Sequence, residues 1–145
     1  MKKVFILLFC IFLVGCGGSS GFKELEDTPL ISKQHDEYLS EFKKVIGSPS
    51  YHSISESKPI DIVYSYEDVS VAESYNENQS FDSLFIIYTT SDVKDFVKFV
   101  IEKNCNYDDV DKLLIKNEIN GRYGKCMITH GITNDGKFSY FVGLM

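Results

Sequence analysis

The strongest constraint on the fold is a set of three strand-type segments that follow one another with little between them. In Ile60 to Tyr66, the residues Ile60, Ile62, Tyr64 and Tyr66 alternate with Asp61, Val63 and Ser65. A two-residue period is the mark of a strand with one face turned to a core. Val69 to Tyr75 repeats the pattern more weakly, with Val69, Val71 and Tyr75 on one face. After the polar turn Asn76-Glu77-Asn78-Gln79-Ser80 comes Phe81 to Thr90, which holds the apolar run Leu84-Phe85-Ile86-Ile87-Tyr88. Such a run fits a central strand covered on both faces. Connections this short fit an antiparallel meander.

Around the meander the period changes. Ser32 can cap a helix over Ser32 to Ile46, in which Tyr38, Leu39, Phe42, Val45 and Ile46 share a face. His35 falls on its charged side, and Gly47 with Pro49 supplies a stop. Ser48 to Pro59 has five serines and two prolines and reads as a loop, which contains His52. A second helix is clearer: Val93, Phe96, Val97, Val100 and Ile101 recur at helical spacing, and Ser91 or Asp92 can cap it. Asn104-Cys105-Asn106 ends it. Val110, Leu113 and Leu114 suit a short helix, while Leu113 to Ile119 equally suits the start of a strand. Asn120-Gly121 is a turn signal, followed by a strand over Arg122 to Ile132. Asn134-Asp135-Gly136 then turns the chain into a last strand, Phe138 to Leu144. The expectation is an α+β fold: a mostly antiparallel sheet of five or six strands with two helices packed on one face. Strands in runs argue against a doubly wound parallel sheet.

The amino terminus has a different character. Lys2-Lys3 precede the uncharged segment Val4 to Val14, and Leu13-Val14-Gly15-Cys16 follows. A basic start, an apolar segment and a small residue at the cut are the layout of a secretory signal. The uncharged segment is about half the roughly 20 residues that a spanning helix needs. Leu13-Val14-Gly15-Cys16 resembles the lipobox of bacterial lipoproteins. The resemblance implies cleavage between Gly15 and Cys16, with diacylglycerol on the Cys16 sulfur and acylation of the new amine. It also implies transfer to the outer membrane of a two-membrane bacterium, since position 17 is Gly where Asp marks inner-membrane retention. Gly17-Gly18-Ser19-Ser20-Gly21 suits a flexible tether. The expected organisation is a cleaved signal over 1–15, lipidated Cys16 with its tether over 16–31, and one α+β domain over 32–145.

Loss of Lys2 and Lys3 takes the formal charge from −6 to −8, and Arg122 is the single arginine. Phosphate neutralisation by Lys and Arg dominates nucleic-acid affinity, so nucleic acid is not an expected partner. Membrane attachment is expected through the lipid, and the acidic body suits solubility or a basic partner. Cys10 leaves with the signal and Cys16 carries lipid, which leaves Cys105 and Cys126 in a compartment where disulfides persist. A bridge between those two is expected.

Spacing for catalysis is sparse. Gly17-Gly18-Ser19-Ser20-Gly21 satisfies G-x-S-x-G, but that motif works on a strained strand-to-helix turn, not in a tether. Asn104, Asn106, Asp108, Asp109 and Asp111 gather oxygens, yet Asp109 and Ile115 stand where a calcium loop wants Gly and Glu. His35, His52 and His130 lack metal spacing, and His130 as a general base needs a nucleophile beside it. Asp61, Glu67, Asp68 and Glu73 are candidates for a hydrolytic carboxylate pair. No cofactor and no metal are expected.

Tyrosine buries a large area at small entropic cost and keeps a polar tip, which suits recognition surfaces. Asp61, Tyr64 and Tyr66 are therefore the candidate binding surface. The expected function is a non-catalytic protein-binding lipoprotein of the cell envelope, facing the periplasm from the outer membrane. In its gross features such a chain resembles the periplasmic immunity lipoproteins that neutralise toxins delivered by rivals. An accessory subunit of an envelope secretion or assembly machine, a small envelope hydrolase, and a carrier of small apolar ligands are the alternatives.

Overall fold

The computed structural model describes residues 22–24, 32–55 and 60–145. The signal segment, Cys16 and residues 17–21 of the expected tether lie outside the described residues. In chain order the elements are β1 (Phe22–Glu24), α1 (Ser32–Val45), β2 (Tyr51–Ser55), β3 (Ile60–Tyr66), β4 (Val69–Tyr75), β5 (Phe81–Tyr88), α2 (Lys94–Asn104), α3 (Val110–Leu114), β6 (Ile119–Tyr123), β7 (Cys126–Ile132) and β8 (Phe138–Leu144). The strands form one sheet in the order β1-β2-β3-β4-β5-β8-β7-β6. All seven pairings are antiparallel.

The α+β class stands, and β3, β4 and β5 form the meander. The counts need correction. Among the described residues, seven strands lie between Tyr51 and Leu144, with the three-residue β1 as an eighth, and there are three helices. One extra strand, β2, comes from the serine-rich stretch. There His52 and Ile54 face one side and Ser53 the other, an alternation that serine's loop preference hides. Another comes from dividing Arg122 to Ile132. The turn is made at Gly124, φ +57°, and Asn120-Gly121 lies inside β6. An added Cβ at Gly124 would fall 1.9 Å from the Cys105 carbonyl oxygen, so the close approach there requires glycine. Lastly, β1 pairs with β2 within the region expected to be tether.

The helices occupy one side of the sheet. Tyr38 and Phe42 of α1, Phe96, Val97, Val100 and Ile101 of α2, and Val110, Leu113 and Leu114 of α3 join one core with the inward strand residues. Phe42 meets Tyr64 and Phe96 edge to face, at 4.9 and 5.6 Å between ring centroids, and so ties α1 to both the sheet and α2. The sulfurs of Cys105 and Cys126 lie at disulfide distance, with the Cα atoms 5.1 Å apart, and connect the end of α2 to β7.

The register sorts residues into rows that run across the strands. One inward row is His52–Tyr64–Val71–Ile86–Tyr140–His130. The next is Ile54–Ile62–Glu73–Leu84–Val142–Ile128, aliphatic except for Glu73. On the opposite face the central row is Ser53–Val63–Ala72–Phe85–Phe141–Thr129. Val63 and Ala72 are buried there and pack with Phe85 and Ile87 into a small cluster apart from the main core.

Candidate functional site

Glu73 is fully buried in the middle of the sheet, under α1. A carboxylate in that position is costly unless paired and hydrogen bonded. His35, itself 1% exposed, places Nδ1 at 3.1 Å from both Glu73 carboxylate oxygens. The Tyr75 hydroxyl donates to Oε1 at 2.6 Å. On the far side of the His35 ring, Nε2 lies 2.8 Å from Nε2 of His52. The result is a continuous chain, Tyr75–Glu73–His35–His52, running from the core to a half-buried ring on β2. The Tyr64 hydroxyl is buried close by without a hydrogen-bond partner. Burial first, and then the Glu73 charge, pushes the Tyr64 and Tyr75 phenols well above the usual tyrosine range. Burial, and then the neighbouring His35, lowers His52 to about 4.

A second cluster closes the other end of the same inward row. His130 stacks on Tyr140 at 4.0 Å between centroids, and its Nε2 lies 2.9 Å from the Tyr88 hydroxyl. Phe138 stacks on Tyr88 beside them. Burial lowers His130 and raises Tyr88 and Tyr140. The group reads as packing chemistry: stacked rings, with a phenol as the side-chain partner of the histidine.

The face turned away from the described helices is different. Seven of its strand positions are serines: Ser53, Ser55, Ser65, Ser70, Ser74, Ser83 and Ser139. Half-buried Phe85, Ile87, Phe141 and Met127 stand among them. A depression of about 200 Å³ lies between Ser83, Met127, Phe141, Leu144 and Met145, with Asp82 at its rim. Asp61 shares this face and accepts a hydrogen bond from Ser74 at 2.5 Å. Burial raises Asp61 despite that bond, and the Asp82 charge adds to the rise. The face thus mixes apolar side chains with small serines, with two mutually repelling carboxylates on one side.

The candidate surface of Asp61, Tyr64 and Tyr66 does not come together. Asp61 faces the side opposite the described helices, whereas Tyr64 is fully buried under α1. Tyr66 packs on the helix side against Gly47, where an added Cβ would meet its ring at 2.4 Å. One strand turns alternate residues to opposite faces, so Asp61 cannot share a surface with two even-numbered tyrosines. Two histidine assignments also change. His35 lies on the buried face of α1, in line with Tyr38 and Phe42, and His52 lies in β2.

The four candidate carboxylates are dispersed as well. Glu67 stands in the β3–β4 turn at φ +50°, and Asp68 beside it binds the loop after β5. The Oδ2 of Asp68 accepts from the backbone amides of Thr89, Thr90 and Ser91, and its Oδ1 accepts from the Ser91 hydroxyl. Burial works to raise Asp68, but these bonds outweigh it and hold the carboxyl well below the usual range. Of the oxygen-rich stretch after α2, Asn104 donates to the Tyr38 hydroxyl at 2.7 Å and Asp111 pairs with Lys98 at 2.8 Å. Among the described residues no group of three or more His, Cys, Asp or Glu is placed to hold a metal. No described helix is long and apolar enough to cross a membrane.

The Glu73 chain was not read from the sequence, although the signal was present. Glu73 occupies an inward position between Val71 and Tyr75, and His35 falls at helical spacing from Tyr38 and Phe42. Comparison with family models, curated proteins and solved structures finds no match.

Proposed function

We propose that the chain is a lipid-anchored, non-catalytic binding protein of the bacterial cell envelope, which engages a protein partner through the sheet face opposite the described helices. The observation that carries this reading is a sheet whose described helices all lie on one side. The other side keeps Phe85, Ile87 and Phe141 half-buried among small serines. Apolar and aromatic groups with neighbours that let a partner approach closely suit the centre of a protein interface. Asp61 and Asp82 give that face a polarity: a lysine or arginine from the partner would offset their repulsion and compensate the buried charge of Asp61. The partner is therefore a protein with a flat apolar patch flanked by a basic side chain. An immunity or inhibitor role against an envelope-targeting toxin is the form of this reading that best suits a small acidic body. Cys16 in its lipobox supplies the anchor.

The test is site-specific photocrosslinking in living cells, with the probe at Phe85 or Phe141 and, as a control, at Lys112 on the helix side. The expected result is one discrete adduct from the sheet face, absent from the control, and weakened when Asp61 and Asp82 are both changed to lysine. Equal labelling from both faces, or an adduct indifferent to the charge reversal, overturns the surface. The anchor is tested separately. The parent chain takes up radiolabelled palmitate and Cys16→Ser does not; a parent that never labels ends the lipoprotein reading.

A further inference from the structure

The Tyr75–Glu73–His35–His52 chain joins three elements, α1, β2 and β4, and its proton count is fixed by geometry. Nδ1 of His35 faces two carboxylate oxygens at 3.1 Å, so it carries a hydrogen and donates. The 2.8 Å separation between the two Nε2 atoms has room for one hydrogen. The fully buried Glu73 carboxylate is compensated when its histidine partner is the cation, and the His35 charge is one of the causes that lower His52, so the hydrogen belongs to His35, which donates to the bare Nε2 of His52. A further proton on His52 breaks that contact: two N–H groups would then point at each other across 2.8 Å, each on a cationic ring.

We propose that this chain is a proton-operated latch, in which a single shared proton holds the amino-terminal half of α1 against β2 and a second proton releases it. The charged groups around it do not replace the contact. Asp36 and Lys43, both on α1, act on His52 in opposite directions. Tyr64 from β3, Tyr75 from β4 and Tyr38 from α1 surround Glu73 as neutral phenols. Strand β2 carries β1 on its outer edge, and α1 is the first of the described helices. The latch therefore ties the first described helix to the strand beside β1. The latched His52 is held down to about 4, whereas a released histidine titrates near 6.5. Between those values the released state binds the additional proton and the latched state does not, so acidification favours release. The inference is independent of the partner-binding face, which lies on the opposite side of the sheet.

The experiment uses the full-length protein in detergent micelles. Imidazole NMR follows His52 from pH 7.5 to 3.5. Amide hydrogen exchange, corrected for its intrinsic pH dependence, follows α1 with α2 as the internal reference. The expected result is that His52 titrates near 4 and that protection in α1 falls at least tenfold over the same interval, while α2 keeps its protection. His52→Gln offers a hydrogen-bonding group that does not titrate in this range, and it removes the pH dependence of α1. His130→Gln, at the other end of the sheet, leaves that dependence in place. A His52 that titrates near 6.5 with α1 unchanged overturns the latch, as does a loss of α1 protection that persists in His52→Gln. The coincidence of titration and exchange in the parent protein decides the matter even where the glutamine variant does not fold.

Discussion

At the residue scale, stability rests on a few polar groups whose partners were chosen by the fold. Glu73 is tolerated in an aliphatic row because His35 and Tyr75 reach it. Removing one member of a buried pair leaves the other uncompensated, which costs about 3–5 kcal/mol. Glu73→Ala is therefore expected to lower the urea midpoint sharply with little change in the slope of the transition. Asp68 works differently, at the surface, by accepting three backbone amides of the loop after β5. Asp68→Ala orphans those amides and is expected to cost about 2 kcal/mol in the same measurement. The acid dependence follows in sign. Asp68 is held below its unfolded value, so its contribution is complete above about pH 4 and is lost as the pH falls below that. The stability of Asp68→Ala is expected to fall less steeply than that of the parent between pH 4 and pH 2.

At the scale of elements, the end of α2 is the most constrained junction. The sulfurs of Cys105 and Cys126 meet there, Lys125 donates its amide to the Cys105 carbonyl at 2.6 Å, and Gly124 passes directly beneath that carbonyl. A side chain at Gly124 faces both a left-handed backbone and a carbonyl that cannot give way. Gly124→Ala is expected to destabilise by about 2 kcal/mol or more, read as a lowered midpoint of thermal unfolding. The crosslink closes a segment of 21 residues, a separation worth roughly 3 kcal/mol in the chain-entropy model. Reduction is expected to lower the melting temperature of the parent by several degrees and to leave a Cys105→Ser, Cys126→Ser double variant unmoved. The missed turn belongs to this junction too. Asn120-Gly121 has the stronger local turn chemistry, but Ile119 and Gly121 are needed opposite His130 and Ile128 in the sheet. Tertiary pairing overrode the local preference.

For the whole molecule, an asymmetric coat decides where chemistry can occur. The three described helices lie on one face of the sheet and bring the titratable chain into the core, while the serine-rich face carries none of them. Both half-buried histidines of the inward row, His52 and His130, are held below their ordinary value by burial. Each is bound as neutral imidazole at neutral pH, so the folded state loses stability as the pH falls below about 6.5. The sequence by itself determined the fold class, the meander and both long helices, because each follows from periodicity within a short window; the Cys105–Cys126 pairing was reached by elimination, once the lipobox resemblance set Cys10 and Cys16 aside. Which face of the sheet is covered, and which polar groups meet across it, was decided only by the tertiary structure. His35, His52 and Glu73 come from a helix, a serine-rich strand and the middle of a sheet. Their convergence depends on register and packing between segments, and no local pattern encodes it.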